Sequence, residues 1–189
     1  MVLRPILRAD AMSDDPLRAL IRTIPDFPKP GIQFRDITTV LRDAEGFGLA
    51  IARMKVALAG HDITMIAGIE ARGFIFGAAL AREMGLGFVP IRKKDKLPGR
   101  TIGMNYALEY GQDRIEIHDD AVGAGDRIAL VDDLIATGGT AIAATKLLRS
   151  AGTEVPLAVF LVDLPDLGGA ERLRGEGVIV EALVGFAGH

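Results

Sequence analysis

The stretch RIALVDDLIATGGTAIAATKLLR, residues 127–149, carries more information than any other part of this chain. Ile128, Ala129, Leu130 and Val131 form a short apolar run of the kind that makes a buried strand. Asp132 and Asp133 end that run. The small-residue turn Ala136-Thr137-Gly138-Gly139-Thr140 comes next, and Ala144, Leu147 and Leu148 then recur at helical spacing. A strand, a glycine turn and a helix start in that order form a phosphate cradle. Glycine permits positive φ and close backbone approach, and the free N–H groups of the helix start point at the anion. Thr137 and Thr140 add hydroxyl donors. The two acids would repel a phosphate, so they must face another part of the same ligand. Carboxylates accept hydrogen bonds from vicinal hydroxyls, and a ribose 5-phosphate satisfies both ends. The chain has no Gly-Lys-Ser/Thr, which excludes a nucleoside-triphosphate loop. An ordinary strand-to-helix turn accounts for Gly139 but leaves two acids beside two threonines unexplained.

The same order repeats upstream. Residues 63–69 read as a strand running into Glu70-Ala71-Arg72-Gly73, and residues 74–84 as a helix rich in small residues. Arg72 is either a surface charge or an anion ligand, and its place between a strand and a helix start favours the anion. Residues 88–91 form a third strand, followed by the basic run Arg92-Lys93-Lys94-Asp95-Lys96. A charge run is usually a solvated face, yet this one lies beyond the C-terminal end of a strand, where open α/β sheets bind ligands. The long connection through about residue 112 suggests a functional flap. Within it, residues 106–110 and 114–118 alternate about Gly111 and predict a β-hairpin arm. Downstream, residues 155–162 and 178–184 read as strands, with a weakly patterned helix at 166–174 between them. Alternating strands and helices predict an α/β fold: a doubly wound, mainly parallel sheet flanked by helices.

Toward the N-terminus, residues 1–13 show no clear period and read as a flexible extension. Asp15-Pro16 supplies a cap and a proline suited to a first helical turn, with Leu17, Leu20, Ile21 and Ile24 on one face. Residues 25–38, PDFPKPGIQFRDIT, carry prolines at 25, 28 and 30 and predict a stiff, irregular path. Phe34 there either seals a core edge or stacks on a flat ligand. A helix is expected over residues 45–59. Residues 14–189 read as a single domain, with a hood at about 14–40 and a flap at about 92–118.

A net charge of −3 argues against a general nucleic-acid binder. The absence of cysteine excludes disulfides and thiolate metal sites. No apolar run approaches the roughly 20 residues of a membrane span, and the N-terminus does not read as a signal peptide, so the cytoplasm is the expected place.

The central motif resembles the diphosphoribose-binding motif of the type I phosphoribosyltransferases. The stretches PDFPKPGIQFRDIT, AGIEARGFIFG, IRKKDKLPG, ALEYG and VDDLIATGGT extend the resemblance, over residues 17–184, to the adenine phosphoribosyltransferases. It implies the reaction of adenine with 5-phosphoribosyl 1-diphosphate to give AMP and diphosphate with Mg2+, in purine salvage, by a homodimer that binds neither nucleic acid nor membrane. Asp132 and Asp133 would then meet the ribose hydroxyls, and Ala136, Thr137, Gly138, Gly139 and Thr140 the 5-phosphate. Arg72 would bind the diphosphate, with Lys93 and Lys96 near it. Phe34 would stack on adenine, with backbone groups near Gln33 and Arg35 reading its edge. Glu109 would be the flap acid, a general acid or base worth roughly 10²–10⁴ in rate, assisted by Tyr110. Mg2+ would be held through the diphosphate and the ribose hydroxyls, without direct protein ligands. The resemblance also implies a cis peptide bond between Glu70 and Ala71.

Hypoxanthine and guanine enzymes place an aspartate where this chain has Ala136, so proton handling must come from elsewhere. Ala71 replaces a hydroxyl residue of some relatives, and Asp95 lowers the positive charge of the flap. Two rival readings differ in outcome. A phosphoribosyltransferase for another base would show itself in rates on a panel of bases. A regulator that senses phosphoribosyl diphosphate and binds DNA would need a basic face or an added module.

Overall fold

The apolar run at Ile128 is the middle of a longer strand. In the computed structural model, which describes residues 15–107 and 111–188, the strand Arg127–Ile135 passes through Asp132 and Asp133 without a break. Parallel pairing explains the extension. Asp132, Leu134 and Ile135 lie opposite Phe160, Val162 and Asp163, so the ladder carries the acids past the point where the apolar run stops.

Two compact units divide the described residues, one ending at Ala50 and one running from Ile51 to Gly188. The first contains α1 (Pro16–Leu20), β1 (Arg22–Pro25), β2 (Gln33–Asp36), α2 (Thr38–Arg42) and the start of α3 (Ala44–Ala57). Asp15 caps α1, accepting the Leu17 amide at 2.9 Å. The helix stops at Leu20, and Ile24 joins a strand instead, because β1 pairs antiparallel with β2. This ribbon corrects the expectation of an irregular path over 25–38. The three prolines remove backbone donors only as far as residue 30, and residues 33–36 are free to pair. Asp36 fastens the ribbon. It accepts the Thr38 hydroxyl at 2.7 Å, the Thr38 amide at 2.9 Å and the Arg22 guanidinium, and those bonds draw its carboxyl down to about 2. The sequence reading missed α2.

The second unit continues α3 and adds β3 (Met65–Ile69), α4 (Arg72–Met84), β4 (Gly87–Lys93), β5 (Thr101–Ala107), β6 (Gln112–His118), β7 (Arg127–Ile135), α5 (Gly139–Ser150), β8 (Glu154–Asp163), α6 (Gly169–Gly175) and β9 (Ile179–Gly185). A single 3-10 turn, Pro165–Leu167, precedes α6. The sheet order is β5-β6-β4-β3-β7-β8-β9, with β4, β3, β7, β8 and β9 parallel and the β5–β6 hairpin antiparallel. The outcome is the expected mainly parallel sheet flanked by helices.

The hairpin is longer than its sequence suggests. It begins at Thr101, where a loop was expected, and its base joins the main sheet through Arg92 opposite Glu116 and Lys93 opposite Ile115. One face is apolar: Ile102, Met104 and Tyr106 pack on the core, and Ile115 and Ile117 are buried in it. Residues 108–110 lie outside the described residues, as does the expected extension at 1–13.

Strand alternation sorts the centre of the sheet. Ile128 and Leu130 of β7 join Ala144, Leu147 and Leu148 of α5 in one core cluster. Ala129 and Val131, equally buried, turn to the other face, where α4 packs on β3 and β7. Among the described residues, no helix is long and apolar enough to cross a membrane.

Candidate active site

Alternation also separates the two acids. Asp133 shares its face with Ala129 and Val131, the α4 side, and Arg72 at the first position of α4 reaches it: Nε lies 2.5 Å from Oδ2. Asp132, the preceding residue of β7, lines both of the hollows that meet here. The pair is tied by the Asp133 amide, which donates to Asp132 Oδ1 at 2.8 Å. Burial, and then the charge of Asp133, push the Asp132 carboxyl well above the ordinary carboxylate range, an effect that Arg72 partly offsets.

Two adjoining hollows meet at these acids. One, of about 130 Å3, is lined by Asp132, Leu134 and the whole turn from Ala136 to Thr140. The other is a crevice of about 360 Å3, bounded by Glu70, Ala71, Arg72, Lys93, Tyr106, Asp113 and both acids. Asp132, Leu134 and Thr140 belong to both walls.

The smaller hollow sits over the start of α5, a 12-residue helix. Gly138 precedes it with φ 80° and no side-chain cap, so the first-turn amides have no intrahelical carbonyl and are aimed at whatever fills the hollow. The turn is braced from below. The Gly169 amide donates to Ala136 O at 3.1 Å, and a Cβ on Gly169 would stand 2.2 Å from that oxygen. Close approach also decides Gly73. A Cβ there would meet Val131 O at 2.7 Å and Asp132 Oδ1 at 2.8 Å, so glycine lets the first turn of α4 bring Arg72 to the tip of β7.

The opposite wall of the crevice is built from charges. The Glu70–Ala71 peptide is cis, as the resemblance implies. The Glu70 carboxylate accepts Arg92 Nε at 3.0 Å and the Lys93 amide at 2.8 Å, tying the ends of β3 and β4 together. The Arg92 hydrogen bond is the main reason its carboxyl lies below the usual range. Lys93 Nζ lies 3.3 Å from Asp113 Oδ2, and the Tyr106 hydroxyl donates to the same oxygen at 3.0 Å.

Of the residues singled out from sequence, Arg72, Lys93, Asp132, Asp133 and Thr140 thus line one crevice, and Ala136, Thr137, Gly138 and Gly139 line the hollow beside it. Lys96 is exposed on the turn after β4 and does not line the crevice. Gln33, Phe34 and Arg35 form β2 of the first unit, where the Phe34 ring meets Phe27 edge-on at 5.2 Å and Arg35 Nη1 donates to Thr23 Oγ1 at 2.6 Å. Glu109 and Tyr110 lie outside the described residues. The sequence reading missed Glu70, Tyr106, Asp113 and Gly169. Only Tyr106 left a signal, as an inward position of the alternating hairpin.

Such a layout can hold an anion at each end and a polyol between them. The helix start is suited to one anion and Arg72 with Lys93 to the other, and the acids are suited to accept hydrogen bonds from hydroxyls.

Comparison with known proteins shows the family. The phosphoribosyl transferase domain family matches residues 41–175. An adenine phosphoribosyltransferase of Novosphingobium aromaticivorans is 57% identical over 178 residues, covering 94% of this chain and 100% of its own length. The crystal structure of the adenine phosphoribosyltransferase from Thermoanaerobacter pseudethanolicus is 49% identical, with a TM-score of 0.86 over 90% of this chain and 98% of its own. That of the Saccharomyces cerevisiae enzyme, complexed with adenine and an imino-altritol bisphosphate, is 37% identical, with a TM-score of 0.84 over 89% of this chain and 96% of its own.

Proposed function

The chain belongs to the phosphoribosyl transferase family, among the adenine phosphoribosyltransferases, and we propose that the acid-bridged crevice of its second unit is where phosphoribosyl diphosphate is bound and cleaved. The reaction joins adenine to 5-phosphoribosyl 1-diphosphate and yields AMP and diphosphate. One observation carries the assignment: Asp132 stands in the wall shared by an amide-lined hollow and a crevice bearing Arg72 and Lys93. That spacing of anion site, hydroxyl acceptors and anion site matches the order of groups along phosphoribosyl diphosphate.

In this reading the turn from Ala136 to Thr140 holds the 5-phosphate, and Asp132 and Asp133 accept from the ribose hydroxyls. Breaking the C1–oxygen bond leaves positive charge on the sugar and negative charge on the departing diphosphate. Arg72 and Lys93 stabilise the departing charge, while the paired acids lie beside the growing cation. Arg72 must first leave Asp133, and the ligand offers both partners a replacement: phosphate oxygens for the guanidinium and a hydroxyl for the carboxylate.

Asp132 and Asp133 also carry hard oxygen acceptors that would suit a hydrated Mg2+ arriving with the diphosphate. When bound, Mg2+ neutralises part of the diphosphate charge. Glu109 is proposed as the acid or base at adenine, with Tyr110 beside it on the flap and Lys96 assisting at the diphosphate. Phosphoribosyl diphosphate and AMP are polyanions that membranes retain, which supports a cytoplasmic place in purine salvage. A homodimer is what the family resemblance implies, and the small-residue helix α4 is compatible with it; the mass in solution tests this directly.

The decisive assay offers a panel of bases with phosphoribosyl diphosphate and Mg2+ and identifies the product by mass. AMP and diphosphate from adenine, with hypoxanthine, guanine and xanthine turned over far more slowly, is the expected result. Preference for another base would sink the assignment of substrate. Base stacking is tested separately. Phe34→Ala is expected to raise the KM for adenine about tenfold, since stacking on an aromatic ring contributes ~1–3 kcal/mol, and to leave the KM for phosphoribosyl diphosphate nearly unchanged. An equal rise in both constants would remove Phe34 from the base site.

A further inference from the structure

The crevice contains an acid that the transfer does not require. Asp113, on β6, lines the same wall as Lys93 and Tyr106. A carboxylate at an anion site repels the ligand, so its presence needs a reason.

Its surroundings hold it in place and charged. Oδ1 accepts the Arg114 amide at 2.8 Å, and Oδ2 accepts the Tyr106 hydroxyl at 3.0 Å. Tyr106 lines the crevice together with Thr140, the last residue of the phosphate turn. Burial works against ionisation of Asp113, yet the Arg114 amide, the Tyr106 hydroxyl and Lys93 together keep its carboxyl below the usual range. Its partner is freer. Lys93 is 55% exposed against 22% for Asp113, and its ammonium lies 3.3 Å from Oδ2 at the end of a flexible four-carbon stem. A fixed carboxylate thus faces a cation that can swing between two anions.

We propose that Asp113 is a positioning residue acting through Lys93: its carboxylate competes with diphosphate for the ammonium and so weakens the grip on that product, favouring its release. The inference rests on the reading of this crevice as the diphosphate site. When diphosphate occupies the crevice, Lys93 turns to it. When diphosphate departs, Asp113 recaptures the ammonium, so no cation is left bare. The Tyr106 hydroxyl and the Arg114 amide keep the competing carboxylate fixed in the crevice wall.

The test is calorimetric titration of the full chain with inorganic diphosphate and Mg2+. Removing a like charge from an anion site is expected to tighten binding of diphosphate about tenfold in Asp113→Asn. Asp113→Ala should shift it in the same direction, and Asp113→Glu, which keeps the carboxylate, should stay near the parent value. In a Lys93→Met background the Asp113→Asn effect should largely vanish. Damage to the fold weakens binding, so tightening is a result that a merely structural role does not give. Unchanged or weaker binding in whichever neutral variant folds, or full tightening without Lys93, overturns the proposal. A parent protein that binds no diphosphate would overturn the reading of the crevice itself and this inference with it.

Discussion

Replacing Asp132 by asparagine is expected to make the ligand-free protein more stable while removing most of its activity. The carboxyl is partly buried, lies beside Asp133, and is pushed well above the ordinary carboxylate range by burial and by that neighbour's charge. An acid whose folded pKa is raised binds more protons in the native state than in the unfolded chain. Stability therefore falls as pH climbs from the ordinary carboxylate value to the raised one, and the full loss persists above it. Asparagine removes that ionisation and keeps Oδ1 to accept the Asp133 amide, now at 2.8 Å. The unfolding free energy at neutral pH should therefore rise, and the Tm with it. At pH 4 the two proteins should differ little. Activity goes the other way, because an amide supplies no negative charge beside the forming cation. Loss of one such electrostatic contact costs roughly 10²–10³ in kcat. Thermal melts at pH 4 and pH 8, with kcat measured on the same preparations, check both halves. A variant less stable than its parent at pH 8 would show that the acid pair is not a source of repulsion, and retained turnover would take Asp132 out of the chemistry.

That opposition explains why this part of the site is legible from the sequence. Asp132, Asp133 and the turn from Ala136 to Thr140 are contiguous, and their chemistry is unusual enough to call for a ligand: two carboxylates side by side cost stability unless something else is gained. Arg72 and Lys93 are legible for a related reason, since each stands at the end of a strand where such sheets bind ligands. The residues that were not legible depend on long-range pairing. Asp113 meets Lys93 only because β6 lies antiparallel to β4, and a lone acid after a glycine turn gives no hint of that partner. Glu70 stands two residues before Arg72 in sequence but spends its carboxylate on Arg92 and the Lys93 amide across the sheet. The start of the hairpin at Thr101 is hidden by Pro98 and Gly99 just before it, which read as loop. The N-terminal ribbon is hidden by its prolines in the same way.

Gly169→Ala tests the least legible of these supports and is expected to cripple the phosphate turn from outside it. Gly169 opens α6, a helix that sequence periodicity marks only weakly, and it touches the ligand hollow only through the backbone beneath. An added Cβ would stand 2.2 Å from Ala136 O, 2.7 Å from Gly138 N and 2.9 Å from Ala136 C. All three are backbone atoms, so no side chain can rotate away to make room. Relief has to come from moving either the turn or the start of α6, and either movement breaks the 3.1 Å hydrogen bond from the Gly169 amide to Ala136 O. The turn has little freedom to give: Gly138 already holds φ 80°, and its own Cβ position is blocked at 2.8 Å by Gly169 O. Overpacking of this kind costs about 1–3 kcal/mol in stability. The larger effect is on the amides aimed at the 5-phosphate, where a shift of about 1 Å is enough to lower kcat/KM roughly a hundredfold. The defect should appear in the KM for phosphoribosyl diphosphate and in the Kd for AMP, while the KM for adenine moves little, because the turn is proposed to hold the 5-phosphate and not the base. Measuring the three constants separates this from general unfolding, which lowers the active fraction without changing any of them. A Gly169→Ala protein with parental affinity for AMP would mean that the turn holds its shape without the brace beneath it.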